Sequence, residues 1–96
     1  MSNFTFSAAE HFAFAMKIHN KAILIGSNSG GGAHPVAINL LESGIALKIP
    51  IGRTYDPVSD LDWEGTGVIP DIECSEDEAL EITRKKILKH QSEMSE

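Results

Sequence analysis

An α/β fold is predicted by three observations on the 96-residue sequence. Apolar residues recur at helical spacing over 7–19 (Ala8, Phe12, Ala15, Met16, Ile18), a continuous apolar run from Ala22 to Ile25 ends at Gly26, and a charged amphipathic segment closes the chain. Helix, inner-type strand and glycine loop in succession are half of an α/β crossover unit.

Taken in order, the first helix is apolar on most sides and is expected to be buried, with Asn20 as its stop. The run over 22–25 has no polar alternation and reads as an inner strand of a sheet covered on both faces. Val36, Ile38 and Leu40 alternate with Ala37 and Asn39, then Ile45, Leu47 and Ile49 alternate with Ala46 and Lys48. With Glu42-Ser43-Gly44 between the two runs, this is a β-hairpin pattern. Residues 50–62 carry Pro50, Gly52, Pro57, Ser59 and Asp60 and read as a long irregular loop. Ser75 and Glu78 make a capping box ahead of a terminal helix whose face carries Ala79, Leu80, Thr83 and Ile87. Acidic residues stand at its front and Arg84, Lys85, Lys86 and Lys89 behind them, and 91–96 are expected to fray.

Composition excludes several classes of function. The net charge of −6 and the division of the eight basic residues between 17–53 and the last helix argue against a nucleic-acid groove. Cys74, the single cysteine, has no partner for a disulfide or a zinc site and reads as a small buried hydrophobe. No apolar run approaches a membrane span and no signal peptide is recognisable, so a cytoplasmic location is expected of the sequence as written. A single domain this small buries about two-thirds of its unfolded surface, which leaves a thin stability margin.

Ser7, in Thr5-Phe6-Ser7-Ala8-Ala9-Glu10, admits two readings. Ser-x-x-Glu ahead of an apolar run is a capping box, in which the Ser7 hydroxyl accepts from the Glu10 N–H and the Glu10 carboxylate reaches back. The other reading is an acyl-transfer nucleophile at the first turn of a helix, where free N–H groups and the positive end of the dipole can hold an oxyanion. Six residues after Met1, such a nucleophile has almost nothing upstream to supply its base, so the chain is expected to hold only half of an active site.

Four segments bear on the choice: Thr5–Glu10, the strand Lys21-Ala22-Ile23-Leu24-Ile25-Gly26, the loop Gly30-Gly31-Gly32-Ala33-His34-Pro35, and Asp62-Trp63-Glu64-Gly65-Thr66-Gly67-Val68-Ile69-Pro70-Asp71-Ile72. In this order they resemble the C-terminal section of the catalytic domain of the tail-specific (C-terminal processing) serine peptidases, on their interphotoreceptor-retinoid-binding-protein-like and tricorn-like branch. The resemblance covers nearly the whole chain and implies a ClpP/crotonase-like α/β fold, with residues 1–96 as a partial catalytic domain. It implies Ser7 as nucleophile, the Ala8 N–H as an oxyanion donor, Glu64 as an acid that orients the catalytic group, and the loop with Gly31, Gly32 and His34 as a wall of the cleft. The lysine base of the processing branch falls at Gly32, where this chain has none, and the histidine used by the tricorn-like branch has no counterpart here. Ser27 departs from the glutamate common after the strand glycine.

The remaining candidates each carry two readings. Gly30-Gly31-Gly32 could cradle a phosphate, but without a following GK[ST] or a directly opening helix a structural turn beside the site is preferred. His11 and His19 are too far apart on a helix for joint ligation. His34 is either a base or substrate contact facing Ser7, or a loop histidine bonded to nearby backbone. Glu64 beside Trp63 is either a carboxyl raised in its pKa by a partly dry pocket or a surface acid before the Gly65-Thr66-Gly67 bend. The overall expectation is a serine-type peptidase domain or fragment, inactive in isolation, needing no cofactor and no metal. It would act on extended peptide or protein substrates and associate with a separate N-terminal lobe or with its own copies. The competing expectation is a non-catalytic structural or binding remnant of the same fold.

Overall fold

The computed structural model describes residues 1–94. Element order is α1 (Ala8–Ile18), β1 (Ile25–Gly26), β2 (Val36–Leu40), β3 (Ala46–Pro50), β4 (Ile72–Glu73) and α2 (Glu76–Met94). This mixed helix and strand content bears out the α/β class. β1 and β4 pair in parallel with Ile25 opposite Ile72, and β2 and β3 form an antiparallel hairpin with Asn39 opposite Leu47. Gly44 closes the hairpin in the left-handed region at φ 85°, a conformation glycine takes without steric cost.

Parallel pairing of β1 with β4 brings residues 25–26 and 72–73 together across the intervening chain. Asp71 tightens the junction: its side chain accepts from the Leu24 N–H at 2.7 Å while its own N–H donates to the Leu24 carbonyl at 2.8 Å. The inner strand expected over 22–25 is accordingly shorter and shifted. Ile23 is 62% exposed, and the sheet that contains β1 is two strands wide.

Burial of the first helix is also overturned. Only Glu10 and Ala13 of α1 are buried, and Phe12 is exposed. The core is a small cluster of Ala13, Ala33, Trp63 and Val68, backed by Met1, Phe14 and Leu24. A radius of gyration of 17.3 Å, against about 13 Å for a compact domain of this length, reflects the protruding hairpin and α2. Cys74 is half-buried rather than buried, and its N–H donates to the Gly26 carbonyl. α2 stays helical through Met94, so the fraying expected over 91–96 is not seen there; 95 and 96 lie outside the described residues. The basic residues of α2 consequently sit in mid-helix, and its last turn carries none. No described helix is long and apolar enough to cross a membrane.

Candidate active site

Ser7 caps α1 in an unusual conformation. An N-cap residue ordinarily has β-region dihedrals, but Ser7 has φ 54° and ψ −116°, a left-handed conformation for a residue with a side chain. Such a residue costs about 1–3 kcal/mol and persists only where its surroundings over-determine it. Here the constraint is Glu10. The expected capping box is present, and its short bond is the reciprocal arm, Ser7 N–H to Glu10 Oε2 at 2.7 Å.

Glu10 reaches further than a capping box requires. It is fully buried, and besides Ser7 it accepts from Ser29 Oγ at 2.6 Å, Gly31 N–H at 2.5 Å and Gly32 N–H at 2.8 Å. One carboxylate thus fastens the glycine loop under the first turn of α1. Burial alone would raise its pKa, but hydrogen bonds from Ser29, Gly31, Gly32 and Ser7 outweigh it and hold the group below the ordinary 4.5. Ser29 extends the lock, since its Oγ accepts from the Val68 N–H at 2.6 Å. The sequence pattern marked Glu10 only as a capping partner and did not mark Ser29. The available signal was the glycine loop itself, whose closely spaced N–H groups need an acceptor once they leave water.

Gly31 and Gly32 therefore spend their N–H groups on Glu10, which removes them as oxyanion donors in this arrangement. Ala8 stands differently: as the first residue of α1 its N–H has no helical carbonyl partner. Ser7, Ala8, Gly32, Ala33 and His34 share a cleft of about 180 Å³ with His11, Pro35, Thr54 and Trp63. Trp63 forms its floor, stacked with His11 at 5.7 Å, tilted against Phe14 at 5.0 Å, and donating from Nε1 to the Gly32 carbonyl at 2.9 Å.

Glu64 meets the same loop from the other side. Its Oε2 accepts from Ala33 N–H at 2.6 Å and His34 N–H at 2.9 Å. Those two bonds set its pKa below 4.5, so the expectation of a carboxyl raised by Trp63 is overturned. The indole faces His11, Phe14 and the loop, and leaves Glu64 partly exposed. The His34 ring lies between carboxylates, Nε2 at 3.8 Å from Asp62 and Nδ1 at 3.9 Å from Glu64, and Nε2 is buried without a hydrogen bond among the described residues. Asp62 is engaged elsewhere: its hydrogen bond from Arg53 Nε at 2.8 Å, joined by one from the Glu64 N–H at 3.0 Å, lowers its pKa.

Two expected results follow. Glu10, Asp62 and Glu64 all have lowered folded-state pKa values, so the stability they contribute is present above their unfolded values, about 4, and is lost as pH falls through the folded ones. Resistance to urea unfolding is expected to fall as pH drops below about 4; resistance undiminished at about pH 3 would contradict this. Secondly, Gly32→Lys is not expected to confer base catalysis by itself. A Cβ at position 32 would strike the Phe6 ring, which also lies 2.7 Å from where a Cβ of residue 30 would stand. A Gly32→Lys chain should show altered Phe6 aromatic NMR shifts, and unaltered shifts would refute the packing argument.

A strained serine opening a helix, above a glycine loop pinned by buried and half-exposed carboxylates, places this molecule among proteins that present a hydroxyl at a helix N-terminus. The chain belongs to peptidase family S41, which it matches over residues 1–74. The tail-specific peptidase resemblance read from its four motifs is thereby borne out. Among solved structures it is similar to a photosystem II D1 C-terminal processing protease, with a TM-score of 0.63 and 24% sequence identity, over 77% of this chain and 19% of that one. At that identity the likeness concerns the fold, and the chain spans less than a fifth of that protease's length.

Proposed function

We propose that the chain is the nucleophile-bearing, C-terminal section of a serine peptidase catalytic domain of ClpP/crotonase-like type, acting on extended peptides when joined to an N-terminal lobe. The observation that carries this reading is the Ser7 backbone. A capping role needs no left-handed serine, whereas a sharp, strained turn into a helix is how a nucleophile is lifted clear of its neighbours. Ser7 Oγ would attack the scissile carbonyl and the Ala8 N–H would bind the developing oxyanion. Glu64 orients the loop wall, acting through Ala33 and His34 rather than on the reacting atoms. No lysine lines the Ser7 cleft among the described residues, its His11 is stacked on Trp63, and its His34 is set between Asp62 and Glu64, so we assign the base to the other lobe.

The test is labelling of Ser7 by a fluorophosphonate probe. The isolated chain should label poorly, and the chain combined with the N-terminal section of an S41 peptidase should label at Ser7. Absence of labelling in a folded complex would favour the second reading, a non-catalytic module of the same fold, which the packing of Phe6 over Gly32 also suits.

A further inference from the structure

The two edges of the β2–β3 hairpin are not alike. Ile51 N–H donates to the Pro35 carbonyl at 2.9 Å and Leu41 N–H to the Ile45 carbonyl at 2.8 Å, so 35 with 51 and 41 with 45 are hydrogen-bonded pairs at the two ends of this antiparallel ladder. Bonded and non-bonded pairs alternate along such a ladder, which makes Ala37 with Ile49 and Asn39 with Leu47 the bonded pairs between them. Val36, Ile38 and Leu40 therefore turn their N–H and C=O groups to the outer edge of β2. Ala46, Lys48 and Pro50 turn theirs to the outer edge of β3.

An exposed strand edge is ordinarily blunted by proline or lysine, because unpaired backbone invites another strand. β3 carries both: Pro50 has no N–H to give, and Lys48 precedes it on the same edge. β2 carries neither. From Pro35 to Leu41 no residue is charged, and Val36, Ile38 and Leu40 are 47%, 66% and 77% exposed. Among the described residues no helix or strand other than β3 packs against β2, and the outward backbone groups of 36, 38 and 40 have no hydrogen-bond partner.

We infer that the outer edge of β2 pairs with the same edge of a second copy of this chain, antiparallel, about a two-fold axis at Ile38. The strand fits itself in this register. Residues 36, 38 and 40 each present a donor and an acceptor outward, so Ile38 exchanges two hydrogen bonds with Ile38 of the second copy, and Val36 does so with Leu40 of that copy. Their side chains share one face, so the three residues from both copies make a continuous apolar row across the joint. Two ribbons, each marginal in water alone, become one four-stranded sheet whose outer strands are both β3. Pro50 and Lys48 guard those new edges, and growth stops at the dimer instead of continuing into a fibre.

Sedimentation of the full chain at rising concentration should show monomer passing to dimer and no further, with the Val36, Ile38 and Leu40 amides gaining about tenfold protection from exchange or more. Ile38→Glu and Ile38→Lys each set like charges face to face on the axis and should weaken association by about tenfold or more. An equimolar mixture of the two should regain it, since the charges across the axis are then opposite. Ile38 is exposed and its backbone makes no bond to β3, so the hairpin's own ladder, read at the Ala37 and Asn39 amides, should persist in both variants. A chain still monomeric at about 1 mM, a dimer indifferent to either charge at 38, or a mixture no tighter than its components would overturn the pairing. So would displacement of the second copy by the N-terminal section of an S41 peptidase with the same amides protected, which would give this edge to that lobe.

Discussion

Glu10→Gln is expected to be nearly as damaging as Glu10→Ala, at about 3 kcal/mol or more, although glutamine matches glutamate in size. All four partners of the carboxylate are donors: Ser7 N–H, Ser29 Oγ, Gly31 N–H and Gly32 N–H. A carboxamide offers one acceptor oxygen and must turn its NH₂ toward at least one of the two pairs, opposing donor to donor in a fully buried site. Hydrogen bonds to charged groups contribute about 1.5–3 kcal/mol each, and stranded buried donors add a desolvation cost. Against a total stability of about 5–15 kcal/mol for ordinary domains, and less margin in this one, such a loss releases the loop. Trp63 is the only tryptophan and donates to the Gly32 carbonyl, so its fluorescence during urea unfolding reads the event directly. A Glu10→Gln chain unfolding within about 0.5 kcal/mol of the parent would show that the carboxylate's charge is not what holds the loop.

Ser7 separates two roles through three substitutions. As a cap, Ser7→Ala costs about 1 kcal/mol and Ser7→Asp is close to neutral. Ser7→Gly relieves the left-handed backbone at φ 54° and loses only a few tenths of a kcal/mol of capping, so it should equal or exceed the parent in stability. As the nucleophile, each of the three should abolish fluorophosphonate labelling in the two-section complex, with turnover falling on the order of 10⁶-fold. Stability retained in Ser7→Gly together with complete loss of labelling is the expected pair of results, since strain kept at a functional position is relieved by losing the function. Residual labelling in Ser7→Ala at parental rate would place the nucleophile elsewhere.

Both experiments turn on the difference between local pattern and assembly. The helix at 8–18, the hairpin with Gly44 at its turn, the irregular loop beyond it and the long terminal helix were legible in the sequence, because capping, periodicity and turn chemistry act between residues close in the chain. The family was legible for a related reason: its four motifs are short and keep their order. The extent of β1 and the burial of α1 were not legible. An apolar run says that a segment is made to be covered, but whether a cover is present depends on which other elements pack against it, and among the described residues α2 is the helix that packs on β1.

The site divides in the same way. Sequence alone placed Ser7 beside Ala8 and paired Ser7 with Glu10, since three residues of helix determine that geometry. Only the tertiary structure carried Glu10 across to Ser29, Gly31 and Gly32, set Glu64 on the backbone of Ala33 and His34 instead of against a dry indole, and laid Phe6 over Gly32. Those are contacts between segments some twenty to thirty residues apart, and nothing in the spacing of acceptors along a chain states which distant N–H groups they will meet. A buried carboxylate takes whichever donors the fold leaves without water. That is decided by packing, and here packing chose the loop beneath the serine.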